Sequence, residues 1–180
     1  MEFFMLFEET KLSGAWIVTP QPLRDERGFF SRIVCGDEFA EHGLYNSWAQ
    51  QNIAYNYKRG TLRGMHYQKG KAAEIKVVRC TRGGIFDVAV DMRNYSSTYL
   101  QWMGVELTAD NHKMFYIPEG FAHGYITLTD DTEISYLVSS PYTPGQEAGI
   151  RYDDPQVAVQ WPIEPQIISD KDKNWPYLKN

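Results

Sequence analysis

Short segments rich in β-branched and aromatic residues recur along this chain, and each is closed by turn chemistry before it can lengthen. The clearest runs are Ala15–Thr19, Gly28–Cys35, Glu74–Cys80, Ile85–Asp91, Gln101–Leu107, Lys113–Ile117, Gly124–Leu128 and Glu133–Ser139. Connections such as Thr108-Ala109-Asp110-Asn111 and Asp130-Asp131 are short and polar. This rhythm predicts an all-β sandwich or barrel. The turn Thr81-Arg82-Gly83-Gly84 predicts that the runs on either side of it form a hairpin. Helix is scarce. The best candidate covers Glu38–His42, with Asp37 as N-cap and Gly43 just past the end. From Pro141 onward, prolines at 144, 155, 162, 165 and 176 break any long element, so the C-terminal arm reads as irregular.

A chain of 180 residues fits one domain spanning 1–180, and that length lets a fold bury roughly 70% of the surface its unfolded form exposes. No disulfide or metal staple is then required. Cys35 and Cys80 have no CxxC spacing and read as reduced thiols, which points to a cytoplasmic protein. The apolar start at Phe3, Phe4, Met5, Leu6 and Phe7 is interrupted by Glu2, Glu8 and Glu9, unlike a signal peptide, and no run of 18 apolar residues could span a bilayer. Eighteen basic against 23 acidic residues, a formal charge of −5, exclude a general binder of nucleic acid or membrane surfaces. An anionic ligand must therefore meet a local basic cluster. Arg24, Arg27, Lys58, Arg59 and Arg63 are the candidates, because the arginine fork suits bidentate phosphate contacts.

His42 and His112 fall at a helix end and a turn and read as surface residues. His66 and His123 have more unusual settings, in Gly60-Thr61-Leu62-Arg63-Gly64-Met65-His66-Tyr67-Gln68 and Pro118-Glu119-Gly120-Phe121-Ala122-His123-Gly124. The Pro-x-Gly-x-x-His spacing at His123 is shared by cupin barrels, where it supplies one metal ligand. Such a site also needs a His-x-His pair and a carboxylate, and the position two after His66 is Gln68, so no metal is expected. Lys76 stands inside the apolar run Ile75-Lys76-Val77-Val78. If its face lines the interior, a counter-charge or an anionic ligand must stand nearby, since an unpaired buried charge costs several kcal/mol. Tyr136 shares a face with Ile134 and Val138 by the period of two, and packing in the core would explain it equally well. Strict alternation sends Arg63 and His66 to opposite faces, unless Gly64 sits at a bulge that re-aims one of them.

Taken together, the motifs resemble the dTDP-4-dehydrorhamnose 3,5-epimerase family of nucleotide-sugar epimerases. The shared pieces run in order from Asp25-x-Arg27-Gly28-Phe29-Phe30 through Gln50-x-Asn52, the His66 motif, Lys76-x-Val78-Arg79-Cys80, Asp87-Val88-Ala89-Val90-Asp91 and the His123 motif to Ser169-x-Lys171-Asp172. The resemblance implies a cupin-like jelly roll with no metal or other cofactor, assembled as a homodimer and acting on a nucleoside-diphosphate 4-keto-6-deoxy sugar. It implies His66 as catalytic base, Asp172 as the carboxylate that orients it, Lys76 at the keto oxygen and Tyr136 as the acid across the ring. Arg27 and Arg63 match phosphate contacts, Gln50 and Asn52 substrate contacts, and His123 and Asp87 inner positions of the barrel.

Relatives of this family invert C3, C5 or both, and the motifs do not separate these outcomes. Two rival readings remain at this stage. One is a metal-dependent cupin isomerase or oxygenase; the other is a nucleotide-sugar-binding jelly roll that has lost catalysis, against which all of His66, Lys76, Tyr136 and Asp172 remain in place. One position departs from the family pattern. Relatives acting on thymidine-linked sugars carry a glutamate two residues after the Phe-Phe pair, where this chain has Arg32. If Arg32 meets the nucleobase, a guanidinium suits the N3 acceptor of cytosine better than the N3–H of thymine, which makes cytidine diphosphate the first alternative carrier. If it points outward or to a phosphate, the carrier is unaffected.

Overall fold

The computed structural model describes residues 4–179, so Phe3 of the apolar start lies outside it. Among these residues fourteen strands and two short α-helices follow one another, and strands β1 (Met5–Glu9), β2 (Trp16–Pro20), β3 (Leu23–Asp25) and β4 (Gly28–Phe30) precede α1 (Gly36–Glu41). Next come β5 (Gln50–Asn56), β6 (Thr61–Gln68), β7 (Lys76–Arg82), β8 (Gly84–Asp91), β9 (Trp102–Thr108), β10 (Met114–Ile117), β11 (Phe121–Thr127) and β12 (Thr132–Val138). The C-terminal arm holds β13 (Glu147–Gly149), β14 (Ile167–Ile168) and α2 (Asp170–Lys173).

Two sheets face each other. One has the order β1-β2-β10-β7-β12-β5; the other runs β13-β6-β11-β8-β9, with β14 added in parallel to β6. Residues of both sheets meet in a central core that includes Val78, Cys80, Ile85, Leu107, Phe115, Tyr125 and Ile134. This is the cupin-like jelly roll that the motifs imply. Its outer faces are covered as well. Phe39 of α1 packs on Val18, Val77 and Met114 of the first sheet, while Ile150 and Val157 of the C-terminal arm pack on Met65, Val88 and Ala122 of the second. Strands covered on both sides read as nearly continuous apolar runs, and β11 is buried at every position.

That double burial corrects the hairpin reading. β7 pairs with β10 and β12, whereas β8 pairs with β9 and β11 in the other sheet. Gly83 therefore turns the chain from one sheet to the other. Its φ is +76°, and an added Cβ would lie 2.4 Å from Thr129 Oγ1. Helix α1 starts after Cys35, which makes no side-chain cap, instead of at Asp37; the strand expected over Gly28–Cys35 stops at Phe30. β1, β3, β5, β13, β14 and the site strand β6 have no counterpart among the sequence-predicted runs. β1 is interspersed with glutamates, and β5 (Gln-Gln-Asn-Ile-Ala-Tyr-Asn) is an amide-rich strand at the sheet edge, where one face need not be apolar. His42 is exposed and stacks on Phe7, while His112 is half-buried beside Phe29 rather than fully at the surface.

Candidate active site

Lys76 begins β7 on the same face as Val78 and Cys80, so its side chain points between the sheets and is 9% exposed. Tyr136 on β12 shares its face with the buried Ile134 and Val138, as the period of two requires. From the opposite sheet, His66 on β6 and His123 on β11 face them. Arg63, His66, Lys76, His123 and Tyr136 line one cleft of about 170 Å³. An adjoining cleft of about 130 Å³ is lined by Gln50, Asn52, His66, Lys76 and Tyr136.

Arg63 and His66 reach the same side because β6 carries a bulge. His123 pairs with His66 and Tyr125 with Arg63, so three steps along β6 match two along β11. The glycines there are required by contact. A Cβ on Gly64 would stand 2.5 Å from Gly124 Cα, and one on Gly124 would stand 2.6 Å from Met65 Sδ. The alternation conflict in the sequence is thus resolved by the extra residue at Gly64.

Each central group has a second group behind it. Asp172 of α2, itself 7% exposed, holds Oδ1 at 4.0 Å from His66 Nδ1, which is too long for a hydrogen bond. His66 Nδ1 is buried without a hydrogen-bond partner. His123 Nε2 meets Asp87 Oδ1 at 2.8 Å, while Asp87 Oδ2 is buried and unpaired. The counter-charge that Lys76 requires is Glu74, whose Oε1 lies 3.0 Å from Nζ. Its other oxygen accepts from Gln68 Nε2 at 3.0 Å, and Gln68 in turn receives Thr143 N–H at 2.7 Å. Sequence reasoning missed Glu74, although its position two residues before Lys76, on the same face, was a usable signal. It also missed Tyr125, which lines the cleft and contacts Asn56 through its hydroxyl.

Burial pushes the His66 pKa down to about 3, helped by the nearby charges of Lys76, His123, Lys171 and Arg63. The imidazole is therefore neutral at pH 7 and able to accept a proton. Burial raises the Tyr136 hydroxyl, and Glu74 adds to the rise, so the phenol keeps its proton. The Tyr125 hydroxyl is pushed up to about 12, again chiefly by burial. Among the described residues no three His, Cys, Asp or Glu side chains converge as a metal site would require. No helix among them is long and apolar enough to cross a membrane.

The remaining basic residues are dispersed. Arg63 donates Nε to Asn56 Oδ1 at 2.9 Å beside the cleft. Arg27, on the exposed β3–β4 ribbon, pairs with Asp25, and Arg32 binds Glu38 Oε1 of α1 at 3.0 Å. Neither lines the cleft within the chain. Lys58 turns to Asp130, and the Arg59 guanidinium donates Nε to Leu128 O at 3.1 Å.

A sequence model of the family described as dTDP-4-dehydrorhamnose 3,5-epimerase matches residues 9–180. The chain belongs to that family. It is therefore an epimerase, an enzyme of the isomerase class. A dTDP-4-dehydrorhamnose 3,5-epimerase from Methanothermobacter thermautotrophicus is 44% identical over 96% of this chain and 94% of the relative. Among solved structures, the dTDP-4-dehydrorhamnose 3,5-epimerase of Bacillus anthracis, with TDP and PPi bound, superposes with a TM-score of 0.94. It is 37% identical and covers 97% of this chain and 100% of its own. A dTDP-6-deoxy-D-glucose-3,5-epimerase from Legionella pneumophila, in complex with dTDP-4-keto-L-rhamnose, gives a TM-score of 0.91 at 36% identity, covering 97% and 93%.

Proposed function

We propose that the cleft inverts C3, C5 or both of a nucleoside-diphosphate 4-keto-6-deoxyhexose, with His66 as base, Lys76 at the keto oxygen and Tyr136 as acid. The observation that carries this reading is that one cleft brings together a neutral histidine, an ammonium and a protonated phenol, the first on one sheet and the other two on the facing sheet. A proton next to a ketone is less acidic than an ordinary imidazolium by on the order of 12 pK units, about 16 kcal/mol, and the lowered His66 pKa widens that gap. Histidine alone cannot remove that proton. The Lys76 ammonium meets the negative charge that develops on the oxygen as the enolate forms, in a site with little water. Tyr136, on the other side of the ring, then returns a proton to the carbon from the opposite face. Burial remains the main cause of the lowered His66 pKa, but a diphosphate near Arg63 and an enolate on Lys76 offset the part that neighbouring positive charge adds, so the base strengthens along the way.

The relatives that carry TDP or dTDP-4-keto-L-rhamnose support thymidine diphosphate as the carrier, and the contact of Arg32 with Glu38 weakens the case for a cytosine-reading guanidinium. Exposed Phe29, Phe30, Ile53 and Tyr57 suit a surface covered in a homodimer. Incubation with thymidine- and cytidine-linked 4-keto-6-deoxyglucose in heavy water tests the reaction and the carrier together. Deuterium is expected at C3, C5 or both, faster from the thymidine form and unchanged by chelator. Absence of exchange from both forms would remove the reading; dependence on an added metal would restore the cupin isomerase.

A further inference from the structure

The carboxylate behind His66 rides on α2, a single turn of four residues that has no stability of its own. Something else must hold it. Before α2, β14 pairs with β6, and Ser169 caps the turn by accepting Asp172 N–H at 3.1 Å. After it, the chain is fastened to the segment that follows β13. Arg151 Nη1 donates to Lys173 O, the last carbonyl of α2, at 2.8 Å. Its Nε and Nη2 bind Asp153 in a two-pronged contact at 2.8 and 2.9 Å, and its guanidinium lies 4.8 Å from the ring centre of Tyr177. The backbone N–H of Arg151 reaches Pro176 O at 3.3 Å. Farther along, the buried Asp154 accepts Leu178 N–H at 2.6 Å.

These contacts connect to the base by a short route. β13 pairs with β6 so that Gly149 is opposite His66, and Ile150 N–H donates to Met65 O at 3.0 Å. Trp175, just after α2, lies against Gly149 so closely that an added Cβ would stand 2.4 Å from the indole. One end of the arm thus rests on the backbone opposite His66, and Arg151 sets where α2 stops. We propose that Arg151 is a positioning residue that holds α2, and through it Asp172, in register with His66. The inference rests on the proposed partnership of His66 and Asp172. At 4.0 Å the two stand just beyond hydrogen-bond reach, so a small displacement of α2 decides whether the contact forms when substrate binds.

A double-mutant cycle tests it, with kcat and KM measured for Arg151→Ala, Asp172→Asn and the double variant. Arg151→Ala is expected to lower kcat by about 10-fold to 100-fold, the usual consequence of losing an outer orienting partner, with KM little changed. In the Asp172→Asn background it is expected to change nothing further, because both substitutions remove the same contact. Asp153→Asn loosens the Arg151 fork without touching α2 and should give a smaller loss in the same direction; if Arg151→Ala does not fold, this variant carries the cycle. A parental kcat for Arg151→Ala, or the same loss with and without Asp172, overturns the inference while Asp172 keeps its role. A parental kcat for Asp172→Asn overturns that role and the inference with it.

Discussion

Two buried polar clusters in this protein differ in how completely they are satisfied. Asp91, with no exposure, has Arg93 on Oδ1 and receives Arg93, Ser96 and Thr98 on Oδ2 at 2.6 to 2.7 Å, and Arg93 reaches on to Ser13 O. Burial alone would raise this carboxyl, but the donors around it prevail and hold its pKa near 2. In the cleft, His66 Nδ1 and Asp87 Oδ2 have no partner, and Asp172 stands short of a hydrogen bond. A cluster built for stability uses every lone pair it buries. In the cleft the unpaired Nδ1 is the nitrogen that faces Asp172, so Nε2 is the one left to take the substrate proton, and Nδ1 gains a partner only when Asp172 closes on it.

The contrast breaks first at His66. Replacing it with Asn is expected to lower solvent exchange at the substrate carbons by about 10²-fold to 10⁴-fold while the protein stays folded; near-parental exchange would put the base elsewhere. Asp91→Ala should do the reverse. Leaving Arg93 without its carboxylate is expected to cost about 3–5 kcal/mol in denaturant unfolding, with turnover per folded molecule unchanged.

Lys76→Met should lose about 2.7–4 kcal/mol of transition-state stabilisation, but it also leaves the buried Glu74 without its counter-charge, held only by Gln68. Adding Glu74→Gln separates the two effects. If the double variant regains stability and not activity, the ammonium acts on the enolate; if activity returns, Lys76 is a structural partner of Glu74.

A further effect is expected in the pH dependence of stability. The folded state lowers the His66 pKa from 6.5 to about 3, so folding favours the neutral form. This contribution is complete above pH 6.5 and is lost as pH falls from there toward 3. The lowered Asp91 gives a separate loss, between its usual value near 3.8 and about 2. A melting-temperature series should therefore decline for the parent below pH 6.5, while His66→Asn stays level until about pH 4. Identical curves would mean that His66 titrates normally.

Much of this could be read along the chain, because the signals were local. Alternating and continuous apolar runs specified an all-β protein, the scarcity of helix followed from turn residues and prolines, and Lys76 within an apolar run announced a buried cation that must be paired. The ordered motifs also pointed to His66, Lys76, Tyr136 and Asp172. Which strands meet was a different matter. Nothing in the runs around Gly83 says whether they pair with each other or with strands far along the chain, since residues buried on both faces leave no alternation to tell the sheets apart. The bulge at Gly64 sits against Gly124, on a strand far along the chain, with no room for a side chain on either, and α2 reaches His66 only because the arm folds back over β6. Arg27 and Arg32 lie near Phe29 in sequence but outside the cleft in space, and they took partners of their own in Asp25 and Glu38. Residue type and period are properties of a segment, whereas register, sheet membership and the distance between two side chains depend on contacts that form only when remote segments are buried together.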